Sequence, residues 1–424
     1  MKKLLFVVTA LLFAAASIPV FASGAQEEGS AKSNIIIYNS MHGDPLPREA
    51  DEEVIKMFSE EYPDKQVIHS IVAHEDFKQA IRAYLSSSTP PDLLTWFAGN
   101  RARFFIDKGL IMDISDVWEE QGWNETYAKG WQSMSSVDGK KYFLPTSWYW
   151  WAVYYRPSVF EKYGLEAPKS WDEFMDVCDT LVANGVKPFA IGTKYRWTAA
   201  AWFDYFNMRI NGPEFHVNLM LGKEKYDDPR VKKVFAEWGS MIDKGYFIDD
   251  PAAYSWSEAI PFMLDETAAM YLMGDFIRDS YPADQHDDLD FFRFPIYDSS
   301  VPVGEDAPTD GYFIPANTAN PEGAKQLIAY FGSKEIQEYF AEKMGRLNTN
   351  SEVDMSLFNE NQQKGIKMIN NSDFVAQFYD RDTTPEMANK GMDAFMEIWE
   401  KHTKADIDRI CARLEKDRQD IFTE

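Results

Sequence analysis

Only two cysteines occur in 424 residues, Cys178 and Cys411. At most one disulfide can form, so a disulfide framework is excluded as the main support of the fold. Cys178 falls on the apolar side of a predicted helix, which favours a buried free thiol. Basic residues are scarce beside acidic ones: 43 Lys and Arg stand against 68 Asp and Glu, a formal charge of −25. Nucleic acids and anionic membranes are recognised through clustered Lys and Arg, so neither is expected as a partner. Beyond the N-terminus no stretch reaches the ~20 apolar residues of a spanning helix. The chain also lacks H-E-x-x-H, C-x-x-C, G-x-x-x-x-G-K-[ST] and G-x-S-x-G. These are patterns of zinc, redox, nucleotide and serine-hydrolase chemistry. The six histidines are scattered, and the closest pair, His69 and His74, is spaced by five. That spacing does not suit one helical face, so no metal and no cofactor is expected. Acidic residues are so plentiful that a carboxylate pair carries no weight. No enzyme is expected.

Rings are abundant instead, at 15% of residues. "PTSWYWWAVYYRP", Pro145 to Pro157, packs three Trp and three Tyr beside a single charge, Arg156. On a strand Tyr149, Trp151, Val153 and Tyr155 face one way, and Trp148, Trp150, Ala152 and Tyr154 the other. One set can line a ligand cleft while the other packs in a core.

The first residues, Met1-Lys2-Lys3 and the apolar run Leu4 to Ala16, then Val20-Phe21-Ala22, describe a secretory signal peptide over 1–22. Cleavage is expected after Ala22 or Ala25. No cysteine lies near, so no lipid anchor is expected, and the protein is placed free in the periplasm. Residues 23–33, small and polar, read as a disordered leader. Without Lys2 and Lys3 the formal charge becomes −27.

Ile35 to Tyr38, Val67 to Ile71 and Leu93 to Phe97 read as buried strands. Between them Val54, Met57, Phe58 and Tyr62, then Phe77, Ile81, Tyr84 and Leu85, fall at helical spacing. Strand, helix, strand, helix, strand is the pattern of a parallel α/β sheet. Right-handed crossovers set the three strand ends on one edge, where ligands of open α/β sheets bind. Ser170 with Glu173 predicts a capping box. The region from there to about residue 290 reads as mainly helical, including "FMLDETAAMYLMGDFIRDSY", and the C-terminal seventy residues read as helices.

The order of "PPDLLTWFAGN", "KGLIMDISDVW", "DGKKYFLPTSWYWWAVYYRPSVFEKYGLEAPKSWDEF", "ETAAMYLMGDF" and "TDGYFIPANTANPEGAKQLIAYFGSKEIQEYFAEKMGRLNTN" resembles the family 1 extracellular solute-binding proteins. These are sugar-binding receptors of bacterial ABC importers, the group that includes maltose-binding protein, and the resemblance runs from about residue 35 to the end. It implies two α/β lobes joined by a multi-strand hinge: 34–147 plus 303–350, and 148–302 plus 351–424. It implies a sugar ligand in the cleft between the lobes and delivery to the permease subunits of an ABC transporter, by a monomer without catalytic activity. A receptor for another small solute such as a polyamine, or a secreted carbohydrate-active enzyme, are the alternatives. The ring content suits sugars independently, because flat rings cover apolar C–H faces while polar side chains satisfy hydroxyls.

By the resemblance, Tyr149 stands where maltose-binding protein has an acidic sugar contact, Trp96 at an aromatic cleft position, and Asn100 and Arg101 at a charged sugar-contacting pair. Phe276 stands at the place of a stacking Trp, with Asp275 and Arg278 beside it. The same logic names His42 after the first strand, Asp310 in the returning segment, Trp197 in the second lobe, and Phe378 and Asp380 at the far end. Trp150 and Trp151 complete the set, with Trp150 favoured over its pleat. The acidic-to-aromatic change at Tyr149 puts maltose itself in doubt.

Overall fold

The apolar runs at the start of the chain become three parallel strands. β1 (Ile35–Ser40) pairs in parallel with both β2 (Gln66–Ile71) and β3 (Leu93–Phe97). The helices Pro45–Glu61 and His74–Ser86 are the crossovers, burying Val54 with Phe58 and Phe77 with Ile81 at i, i+4 spacing. The computed structural model describes residues 34–422; the expected signal peptide and leader lie outside them. Among the described residues no helix is long and apolar enough to cross a membrane.

A hairpin of β4 (Ser136–Val137) and β5 (Lys140–Lys141) leads to β6 (Leu144–Trp148). The chain then passes through only Tyr149 and Trp150 before β7 (Trp151–Tyr155). Next come β8 (Lys187–Phe189), β9 (Ala268–Gly274) and β10 (Asp290–Phe292). β11 (Gly304–Asp306), β12 (Thr309–Phe313), β13 (Leu347–Asn348) and β14 (Phe374–Ala376) complete the strands. One sheet has the order β13-β6-β12-β3-β1-β2 and the other β10-β7-β9-β8. Each is the centre of an α/β lobe, and β6 and β7 lie in different sheets, so two residues carry the first crossing. β11 and β14 form a parallel ribbon outside both sheets. Buried Arg209 ties that ribbon to the helix Trp197–Asn211: Nε donates to Phe294 O at 3.1 Å and Nη2 to Glu305 Oε1 at 2.7 Å.

The first sheet has an apolar core on each face. Ile36, Tyr38 and Leu93 pack with Phe331, while Leu94 and Trp96 pack with Phe77 and Phe105. The alternation follows from the strand pleat. The capping box at Ser170 is present, its hydroxyl accepting from Glu173 N while the Glu173 carboxylate accepts from Ser170 N. Ala268–Gly274, read from sequence as part of a helical region, is instead the strand β9, buried at all seven positions. A strand covered on both faces is a continuous apolar run and shows no period that separates it from a buried helix. From Met355 to Phe422 the chain is helical, opening with a single short turn at Met355–Leu357, apart from β14 and the connecting turns. Cys178 and Cys411 are both buried and unpaired.

Candidate functional site

A cavity of about 440 Å³ lies between the two sheets, within the size range of small-molecule sites. Its first wall comes from the carboxyl ends of the parallel strands. The loop after β1 brings His42 and Asp44, the helix after β2 brings His74 and Lys78, and β3 ends in Phe97. Asp310 stands opposite Phe97 on one side and Ser147 on the other in the sheet register. A bulge between Asp310 and Gly311 shifts the pairing with β6 and turns the strand locally. Gly311 is required there, because a Cβ on it would stand 1.9 Å from Leu144 O.

The opposite wall is aromatic. Trp151 stacks on Phe378 with centroids 4.6 Å apart and planes at 18°, and meets Trp197 and Phe276 edge-on at 6.0 Å each. Trp256 and Tyr149 meet Phe276 edge-on at 5.3 and 5.2 Å. Such perpendicular contacts suit the ring quadrupoles and hold the wall rigid.

Ion pairs close the end between the walls. Arg381 donates to Asp310 Oδ1 at 2.7 Å and to the Tyr149 hydroxyl at 2.5 Å, with its guanidinium 4.2 Å from the Phe97 ring centroid. Asp380 is paired with Arg101 and lies 3.8 Å from Lys78 Nζ. Burial works against the Asp380 charge, yet Arg101 and Lys78 outweigh it and hold the carboxyl down at about 2. Burial, with Lys78 second, lowers His74 well below the usual imidazole range, so His74 is neutral. Burial pushes Asp382, just behind, up to about 7.

Of the residues expected from sequence, His42, Tyr149, Trp151 and Trp197 line this cavity, as do Phe276, Asp310, Phe378 and Asp380. The other six do not. Trp96 is 1% exposed and packs against Phe77, Phe97 and Phe105 in the core of the first lobe, one position short of the strand end that carries Phe97 to the cavity. Trp150 is 1% exposed and lies over Gly365, where a Cβ would be 2.5 Å from its ring. Tyr149 and Trp151 thus line the cavity while Trp148 and Trp150 do not, an alternation kept across the two linking residues, and the preference for Trp150 does not agree with its place. Asn100 and Arg101 reach past the cavity to Asp382 O and to Asp380, tying the helix Asn100–Ile106 to Tyr379–Asp382. Asp275 is buried behind the aromatic wall, donating its backbone N–H to Trp150 O at 3.0 Å, and burial lifts its carboxyl to about 8. Arg278 is half-buried on the short helix that follows, Ile277–Ser280, with Nη1 unpartnered.

Sequence reasoning passed over His74, Lys78, Trp256, Asp279 and Arg381. The strand-end rule that named His42 also covers the first two, which follow β2. Trp256 sits in an irregular turn within a region read as helical. Arg381 adjoins Asp380, but its aim into the cavity depends on the turn at Tyr379–Asp382.

Among the described residues no group of three or more His, Cys, Asp or Glu is placed to hold a metal ion. The family model of the bacterial extracellular solute-binding proteins matches residues 43–338. The bacterial solute receptor AcbH, which has an exclusive substrate preference for β-D-galactopyranose, matches with a TM-score of 0.87 and 31% identity, over 92% of this chain and 99% of that one. An uncharacterised ABC transporter extracellular-binding protein of Pyrococcus horikoshii is 26% identical over 334 residues, covering 77% of this chain and 74% of its own. A probable sugar-binding periplasmic protein of Mesorhizobium japonicum is 25% identical over 270 residues, 61% of this chain and 62% of its own.

Proposed function

The chain belongs to the bacterial extracellular solute-binding proteins, and from this we propose that it captures a mono- or oligosaccharide outside the cytoplasm and delivers it to an ABC importer. The observation that carries the reading is the division of the cavity into an aromatic wall and a hydrogen-bonding wall. A pyranose has the matching division, with an apolar C–H face and a belt of hydroxyls. The preference of AcbH makes D-galactose the first sugar to test. Binding without catalysis is the corresponding reading, since family members bind solutes and the wall carboxylates Asp310 and Asp380 are engaged by Arg381 and Arg101.

The remaining parts of the proposal are a monomer, free in the periplasm after removal of residues 1–22, docking on the permease subunits of its transporter. The two lobes are proposed as 34–147 plus 303–350 and 148–302 plus 351–424. Sheet membership supports the division, with β12 and β13 in the first sheet and β7 to β10 in the second. The test is a thermal-shift and calorimetric screen of D-galactose, other sugars and polyamines, with the recovered ligand checked for chemical change. A sugar that binds the folded state raises the unfolding midpoint by mass action. A response to polyamines alone, or conversion of the sugar, overturns the reading.

A further inference from the structure

His42 enters the first wall from the loop after β1, and it is held from behind by a buried carboxylate. Its Nδ1 lies 2.8 Å from Asp51 Oδ2; the His42 side chain is 26% exposed and that of Asp51 only 1%. The same Oδ2 accepts the Tyr38 hydroxyl at 2.9 Å. His69 Nε2 stands 3.7 Å away, with its ring stacked on Tyr38 at 4.6 Å and bonded to Ser40 Oγ at 2.9 Å. Tyr38, Asp51 and His69 are not among the cavity-lining residues. A carboxylate so deep is costly unless it is fully satisfied, yet Asp51 Oδ1 has no partner. Packing alone would favour an apolar side chain at this turn of the helix Pro45–Glu61. The bond from the rear nitrogen of a cavity histidine gives the carboxylate a reason to be there.

We propose that Asp51 is a positioning residue for ligand capture: it fixes Nδ1 of His42 as a donor to itself, so that His42 meets the bound sugar through Nε2, as a charge-assisted donor to a sugar oxygen. The inference rests on the sugar reading of the cavity. A hydrogen bond at one ring nitrogen sets the state and orientation of the other. Other groups also face His42. Burial disfavours its charge and Asp51 favours it; Arg346, from beside β13, opposes and Asp310, from β12, supports it, with a net rise above the ordinary histidine value. Tyr38 and Tyr312 stand behind Asp51 as neutral phenols, their ionisation suppressed first by burial. His69 is lowered by burial and backs the site in neutral form.

The test is calorimetric titration with D-galactose, D-glucose and D-xylose from about pH 5 to about pH 8, on the wild type, Asp51→Asn and His42→Gln. Histidine ¹⁵N NMR titration of the wild type, with and without saturating sugar, accompanies it. Charge-assisted bonds are roughly twice as strong as neutral ones, so wild-type affinity should rise about five- to tenfold towards acid pH. Asp51→Asn should move the inflection to lower pH, and His42→Gln should remove it. In the NMR titration the His42 midpoint should rise on saturation, which keeps the proposal testable if Asp51→Asn does not fold. Sugar binding with no inflection, or a His42 midpoint unmoved by sugar, overturns the proposal and leaves the sugar reading standing. No binding of any probe at any pH overturns both.

Discussion

Arg346 Nη2 lies 2.6 Å from Asp279 Oδ2, and the pair bridges the two sheets. Arg346 stands just before β13 of the first sheet, and Asp279 lies on the short helix after β9 of the second. Both side chains are mostly buried, at 17% and 11% exposure. Burial opposes the Arg346 charge, but Asp279 and Asp275 outweigh it and raise its pKa.

The bridge predicts a role in closure. Hinge closure around ligand is a known motion of periplasmic binding proteins, and the expectation comes with the family. Asp279→Asn leaves Arg346 unpaired in the closed form, which breaking a buried pair makes unfavourable. The variant should show a larger ligand-free radius of gyration by X-ray scattering and roughly tenfold weaker sugar binding. An unchanged radius and affinity would show that the pair has no part in closure.

Single-ring variants should separate core from site. Trp150→Ala opens a cavity against Gly365 and should cost about 3–5 kcal/mol of folding stability, read by chemical denaturation. Trp197, half-buried at the start of its helix, should behave oppositely. Its Ala variant should keep the unfolding midpoint within a few degrees and lose roughly tenfold in sugar affinity. Equal stability losses at both positions would remove the distinction.

Asp275 gives stability a pH dependence. Burial, against the pull of Arg346, holds its folded pKa at about 8, above the ~3.9 of an unfolded Asp. Its stabilising contribution is therefore complete below about pH 4 and is lost as pH rises towards about 8, at up to about 1.4 kcal/mol per pH unit. Asp275→Asn should flatten this slope and raise the calorimetric midpoint at pH 8. Asp380 has the opposite sign: its contribution is present above about pH 4 and is lost as pH falls towards about 2.

Both thiols should be inert in the native protein. Cys178 and Cys411 are buried, and burial pushes the Cys411 thiol up to about 12. A thiol-specific chromogenic reagent should titrate neither without denaturant and both in guanidinium. One equivalent of fast reaction in the native state would contradict the packing.

Sugar binding should survive EDTA. The walls of the cavity carry carboxylates already engaged by Arg381, Arg101 and Lys78. Calorimetry before and after exhaustive chelation should give the same dissociation constant, and abolished binding would show a required ion.

The sequence alone determined the parallel start of the chain, because short apolar runs of strand length alternate there with one-sided helices of period 3.6. It also anticipated that Tyr149 and Trp151 share a side, since the alternation of neighbouring extended residues is local and carries through the short link from β6 to β7. It did not identify β9, whose seven buried residues have no period at all. Nor could it decide which side of a ring-rich strand meets the cavity. That depends on Gly365, more than two hundred positions away, leaving room for the Trp150 ring and so drawing it into the core. Asp380 was legible as a polar residue, but not as the acid held by Arg101 and Lys78. Those partners come from helices about three hundred residues earlier, and such long-range pairings follow from how the two sheets are set against each other, which no local spacing encodes.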